Sequence, residues 1–193
     1  MAIKIFIDQG HNPQNPNAGA EGNGYREQDL VYTIGQELKA LLDANPAFSA
    51  RLSRETESSQ LGTSVASSLA ARVNAAVEFG ADLFLSLHAN ASESAAPSGS
   101  EAFVYRLNSP AYYIAEQLLR GLRQQTGLPT RGVFVRPGLY VLRKTPMPAV
   151  LAELGFLTNP RDADLMANQP ALFAGGADSN NIPTCELTAD ELA

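Results

Sequence analysis

Residues 82–88, Asp82-Leu83-Phe84-Leu85-Ser86-Leu87-His88, decide the reading of the fold. Leu83, Phe84, Leu85 and Leu87 crowd the run with apolar side chains, so a strand here must be covered on both faces. The run is short and bounded by turn signals, which suits a buried strand better than a helix. Gly80 precedes it, and a loop of small residues from Ala91 to Ser100 follows.

Outward from this strand, helices and strands alternate. Upstream, Val65, Leu69, Val73, Ala76 and Val77 give an amphipathic helix that stops near Gly80. Before it, Phe48 to Ser53 reads as a strand. Leu30, Val31, Ile34, Leu38, Leu41 and Leu42 make one helical stripe, ended by Asn45-Pro46. At the start, Ile3, Ile5 and Ile7 lie on one face of a strand that runs to Asp8. Downstream, Ala102 to Tyr105 is a strand. Pro110 opens a helix lined by Ile114, Leu118 and Leu122 that lasts until Gly127. Val133 to Val135 and Leu139 to Leu142 are short strand candidates, and Ala149 to Leu154 is another buried strand. Asn159-Pro160 reads as an N-cap followed by proline at the first helical position. This alternation predicts an α/β single domain: a central, mostly parallel, twisted β-sheet flanked by helices on both faces.

The domain is expected to span residues 1–175. After Pro170 the apolar pattern fades, and residues 176–193 read as a polar C-terminal tail of poor order. The chain has 193 residues, enough to bury a core without staples. Its formal net charge of -6 argues against a nucleic-acid partner, because phosphate binding needs clustered Lys and Arg. No stretch is long and apolar enough to insert into a membrane. The first residues read as a strand and not as a signal peptide, which leaves the export route open. The single cysteine, Cys185, excludes an internal disulfide and reads as an inert tail residue.

The chain has two histidines, and each comes at or just after the end of an expected strand: His11 and His88. Glu153 sits near the end of a third. Open α/β sheets bind ligands outside the carboxyl ends of their strands, so these side chains point toward one rim. Glu27 lies where the first loop meets the first helix, a position that favours a carboxylate. Two imidazoles and one carboxylate are a common ligand set for catalytic zinc, with a fourth position left to water. Such an ion lowers the pKa of water and polarises a carbonyl. A carboxylate near the ion can take a proton from water and pass it to a leaving amine, and Glu153 is the candidate. Glu153 also interrupts the apolar run Val150-Leu151-Ala152, so its buried charge needs compensation. Gly19 to Gly24 follows a strand and precedes a helix, but it lacks both the P-loop ending and the dinucleotide spacing. It reads as a flexible rim loop. The acidic residues Asp162 and Asp164 read as a solvated helix face.

Four segments also resemble a known family. Asp8-Gln9-Gly10-His11 resembles the opening signature of zinc-dependent N-acetylmuramoyl-L-alanine amidases, the catalytic domains that cut peptidoglycan. Gly24-Tyr25-Arg26-Glu27 resembles the segment that supplies a glutamate ligand. Ser86-Leu87-His88-Ala89-Asn90 resembles the second histidine motif. The run from Pro148 to Asn159 resembles the segment with the catalytic glutamate. The match covers residues 3 to about 170.

The resemblance implies one zinc ion per chain, bound by His11, Glu27 and His88, and Glu153 as general base and then acid. It implies hydrolysis of the amide between N-acetylmuramic acid and L-alanine, in peptidoglycan or a muropeptide, at the bacterial cell wall. Arg72 and Asn90 fall in family-like motifs and are expected to have supporting roles. Relatives usually end in an amphipathic helix packed on the sheet, a pattern that Ala174-Gly175-Gly176 breaks here. The short loop from Ala89 to Ser100 leaves no room for the inhibitory helix of some relatives, so no activator protein is expected. Two other readings remain open: a non-catalytic peptidoglycan-binding module, and a nucleotide-binding domain using the glycine-rich loop.

Overall fold

The computed structural model describes residues 2–178 and 180–182. Strand β1 (Ile3–Gln9) leads through a small hairpin, β2 (Glu21–Gly22) and β3 (Tyr25–Arg26), into helix α1 (Glu27–Asp43). Then come β4 (Phe48–Leu52), α2 (Val65–Phe79), β5 (Leu83–Asn90) and β6 (Ser100–Val104). The chain continues with α3 (Pro110–Thr126), β7 (Thr130–Val135), α4 (Tyr140–Lys144), β8 (Ala149–Phe156), α5 (Pro160–Asn168) and α6 (Pro170–Gly176).

Six strands form one sheet in the order β4-β1-β5-β8-β6-β7. β4, β1, β5 and β8 are parallel to one another. β6 lies antiparallel to β8, and β7 follows β6 in parallel. The expected mostly parallel sheet is therefore present, with one reversal. Its cause is the loop of residues 91–99, which contains no helix. A chain that leaves β5 and re-enters the sheet without a crossover must run back the other way. The reversal brings the starts of β6 and β7 to the rim where β1, β5 and β8 end.

Helices cover both faces. On one, α1, α3, α5 and α6 bury Ile5, Ile7, Leu85, Leu87, Val150 and Ala152. On the other, α2 and α4 bury Phe6, Phe84 and Leu151, and the Phe6 and Phe84 rings stack 5.7 Å apart. The helix ends follow local chemistry. Ser64 and Ser67 form a capping box on α2, and Gly80 closes it at φ 67°. Ser109 caps α3 ahead of Pro110. Asn159 accepts from the backbone N–H groups of Arg161 and Asp162 at the start of α5.

Three expectations are corrected. Leu139 to Leu142 does not form a strand; α4 starts at Tyr140 and buries Val141 and Leu142 against α2 and β8. So short an apolar run carries no period, and packing decides it. The apolar pattern does not end at Pro170, because α6 buries Phe173 and Ala174 against the core. Gly176 is a contact point: a β-carbon on Gly121 of α3 would lie 2.3 Å from the Gly176 carbonyl oxygen, and one on Gly176 would lie 2.7 Å from Leu122 Cα. The two helices approach closely because neither position has a side chain. Ala177 and Ile182 are buried as well. The part of the expected tail from residue 183 onward, with Cys185, lies outside the described residues. Finally, residues 19–24 are no loose loop. Asn23 (φ 51°) and Gly24 (φ 82°) turn the β2–β3 hairpin, and Asn23 Nδ2 donates to the Leu157 carbonyl at 2.8 Å. Asn-Gly is a strong hairpin signal.

Candidate metal centre

β1 ends at Gln9, and His11 follows in the left-handed region at φ 65°. That conformation is uncommon outside glycine and needs external support. Arg72 of α2 supplies it. Its guanidinium donates to the Gln9 carbonyl at 2.6 Å, to the His11 carbonyl, and to Asp8 Oδ1 at 2.6 Å. Arg72 and Asp8 are both fully buried. Burial pushes the Asp8 carboxyl up, but the Arg72 charge and hydrogen bond hold it below its ordinary value. Ser86 of β5 donates to the other Asp8 oxygen at 2.8 Å. One ion pair thus fixes the end of β1, the turn and the neighbouring strand.

Glu27 is the first residue of α1. The hairpin delivers it, and its backbone N–H donates to the Ala20 carbonyl at 2.9 Å. The side chain turns inward, where Oε1 lies 2.9 Å from His88 Nδ1 and Oε2 lies 3.1 Å from His11 Nε2. The backbone N–H of Ala89 also donates to Oε1, at 3.1 Å. The imidazole rings meet edge to face, with centroids 4.8 Å apart. One donor atom from each of His11, Glu27 and His88 lies within 4.8 Å of the others, an arrangement that could hold a metal ion.

Two glycines make room for this cluster. A β-carbon on Gly10 would lie 2.5 Å from His88 Cε1, and one on Gly19 would lie 2.8 Å from Glu27 Oε2 and 2.9 Å from His11 Cδ2. The donor set, two imidazoles and one carboxylate with side-chain-free backbone on two sides, fits a divalent ion such as zinc. Burial pushes the Glu27 carboxyl up, yet hydrogen bonds from His11 and His88 hold it far below its ordinary range. Burial pushes His88 down, and its hydrogen bond and charge pairing with Glu27 raise it above its usual value.

Glu153 of β8 is paired in register with His88 of β5. It stands beside the cluster and is not one of its donors. Burial pushes its carboxyl up to about 7; His88 opposes the shift, and the charges of Glu27 and Glu101 add to it. The four side chains expected to meet therefore occupy one rim of the sheet.

Sequence reasoning missed two features. Glu101 of β6, only 8% exposed, is paired in register with Glu153. Asn90 Nδ2 donates to its Oε1 at 2.7 Å, and Arg131 Nε donates to its Oε2 at 2.8 Å. The period-two alternation of β6 was the available signal, because it puts Glu101 on the same face as Phe103. Asp162 is not on a solvated face. It is fully buried and accepts from Ser98 Oγ at 2.7 Å, from the Gly99 backbone N–H at 2.8 Å and from the Phe156 backbone N–H at 3.0 Å.

Comparison with known proteins agrees with this architecture. Residues 5–174 match the family described as N-acetylmuramoyl-L-alanine amidase. The chain is 38% identical to N-acetylmuramoyl-L-alanine amidase LytC of Bacillus subtilis over 82% of its own length and 30% of that protein. It is 34% identical to the sporulation-specific N-acetylmuramoyl-L-alanine amidase of the same organism, over 84% of its own length and 59% of the relative. The chain thus spans less than two thirds of either protein. Among solved structures, it superposes on the catalytic domain of the amidase CwlV from Bacillus (Paenibacillus) polymyxa var. colistinus with a TM-score of 0.78 at 29% identity, covering 91% of this chain and 93% of that one. An N-acetylmuramoyl-L-alanine amidase from Clostridium difficile 630 gives 0.80 at 27% identity, covering 91% and 92%. The chain belongs to the N-acetylmuramoyl-L-alanine amidase family.

Proposed function

We propose that this chain hydrolyses the amide between N-acetylmuramic acid and L-alanine in peptidoglycan, at the bacterial cell wall, using one zinc ion held by His11, Glu27 and His88. The observation that carries this reading is the meeting of those three donors on one rim, with Glu153 paired in register beside His88. Family membership supports the choice of substrate. When bound, zinc polarises the scissile carbonyl and lowers the pKa of water.

The side chains supply the rest. Glu153 accepts a proton from the attacking water as the oxygen–carbon bond forms. It returns that proton to the alanine nitrogen as the carbon–nitrogen bond breaks. Burial raises the proton affinity of this carboxyl, the direction that suits a group that must take up and then return a proton. Arg72 and Asp8 keep His11 in its left-handed turn, and Gly10 and Gly19 keep the rim clear around the imidazoles.

The test is release of free stem peptide from purified peptidoglycan by the zinc-loaded protein, with and without chelator. Glu153→Ala is expected to keep its zinc and lose at least about a hundredfold in turnover. His11→Ala or His88→Ala should lose zinc itself. An equally active Glu153→Ala protein overturns the assignment, and binding of peptidoglycan without any release identifies a binding module instead. The loop of residues 91–99 carries no helix over the rim. Full activity on soluble muropeptide is therefore expected without an activator, and strong stimulation by an added activator protein would contradict this.

A further inference from the structure

Beyond Glu153 the sheet continues for two strands on the face that carries the metal centre. The helices of that face, α2 and α4, pack on β1 and β8, while Phe134 of β7 is 39% exposed. A row of residues in register crosses this shelf: His88, Glu153, Glu101 and Gly132, from β5 to β7.

The shelf carries a built feature at its far end. Ser100 pairs with Thr130, but Glu101 pairs with Gly132, so β7 has one extra residue, Arg131, opposite the partner strand. Such bulges re-aim a side chain. Gly132 takes φ 120°, a conformation open to glycine and costly for other residues. The result turns Arg131 toward the rim. Its Nε donates to Glu101, and its guanidinium lies 4.9 Å from the centre of the Phe156 ring. Asn90, at the end of the strand that carries His88, fills the other Glu101 oxygen. The guanidinium plane is thereby set by one hydrogen bond and one stacking contact. Its terminal amino groups have no acceptor among the described residues, and the side chain is 41% exposed.

A lysine would neutralise Glu101 as well. A guanidinium held at its Nε edge instead presents a fork that matches a second carboxylate. We propose that Arg131 binds a carboxylate on the peptide half of the substrate, two or three residues beyond the cut amide. The inference rests on the amidase reading above. The spacing supports it: β8 and β7 are two strands apart, roughly 10 Å, and an extended peptide covers that distance in about three residues.

The test compares two N-acetylmuramoyl tripeptides, one with free carboxylates at its second and third residues and one with carboxamides there. The zinc-loaded protein is expected to favour the acid about tenfold in kcat/KM, as one charge-assisted contact would give. In Arg131→Gln the acid-to-amide ratio should fall close to 1, with the change mainly in KM; Arg131→Lys should keep part of the preference. Equal losses on both substrates in Arg131→Gln, or no preference in the unaltered protein, overturn the proposal. Equilibrium binding of the two free tripeptides to the same proteins gives a readout independent of turnover. If the unaltered protein cuts neither substrate, the amidase reading fails, and the binding ratios still decide the role of Arg131.

Discussion

Arg72 braces the metal centre although it touches no expected ligand side chain. It holds the backbone carbonyl of His11 and neutralises buried Asp8. Arg72→Ala should therefore cost about 3–5 kcal/mol, because it leaves a buried charge unpaired. Denaturant unfolding would measure the loss, and bound zinc should fall with it. Glu153 gives a prediction with the opposite sign to most acids. Its folded-state pKa of about 7 lies above the ordinary 4.5, so the native state holds the proton more tightly than the unfolded chain. Its contribution is full below the ordinary value and lost as pH rises through the folded one. In chelator-treated protein, Glu153→Gln should melt with the parent at about pH 4 and above it at about pH 8. Equal melting at both values would show that no such shift exists. The placement of His11, His88, Glu27 and Glu153 on one rim was legible in the sequence, because His11 and Glu27 flank element ends and His88 and Glu153 lie in the second halves of buried strands, positions that a periodic pattern can locate. Glu101 with Arg131 was not, since their meeting depends on a reversed strand and a one-residue bulge, and neither changes the local apolar pattern.

At the scale of elements, Asp162 ties three segments together: the loop of residues 91–99, the end of β8 and the first turn of α5. Asp162→Ala would strand two backbone N–H groups and a hydroxyl in a buried site. About 1–3 kcal/mol for each of these unmet groups gives a drop in melting temperature of roughly 6–36 °C, at about 2–4 °C per kcal/mol. A thermal melt checks this, and Asp162→Asn, which keeps an acceptor, should recover much of it. The reading of Asp162 as solvated failed because a carboxylate in the first turn of a helix looks the same whether it faces water or a neighbouring loop. Most helices and buried strands were legible, because their apolar stripes are long enough to have a period. α4 was not, being too short. The glycines of α6 pointed the wrong way, since a residue that weakens an isolated helix can also let two helices touch.

For the whole molecule, the three expected zinc ligands are placed by parts of the protein that do not depend on an ion: a parallel ladder, a helix start, and the buried Arg72–Asp8 pair. Chelation should lower the melting temperature without abolishing cooperative unfolding. With zinc at about 100 times its dissociation constant, the linked stabilisation is about 2.7 kcal/mol. Removing it should cost roughly 5–10 °C and leave the far-ultraviolet circular dichroism unchanged. Collapse of the far-ultraviolet signal on chelation would show instead that the ion builds the domain. The left-handed turn at His11, clamped by a guanidinium, has a practical consequence. Exchange of a cation held by the three donors would be a local event, slow or fast according to ligand release alone, with no refolding step. Cobalt should then substitute under native conditions, and its visible absorption bands would serve as an optical probe of whatever enters the cleft.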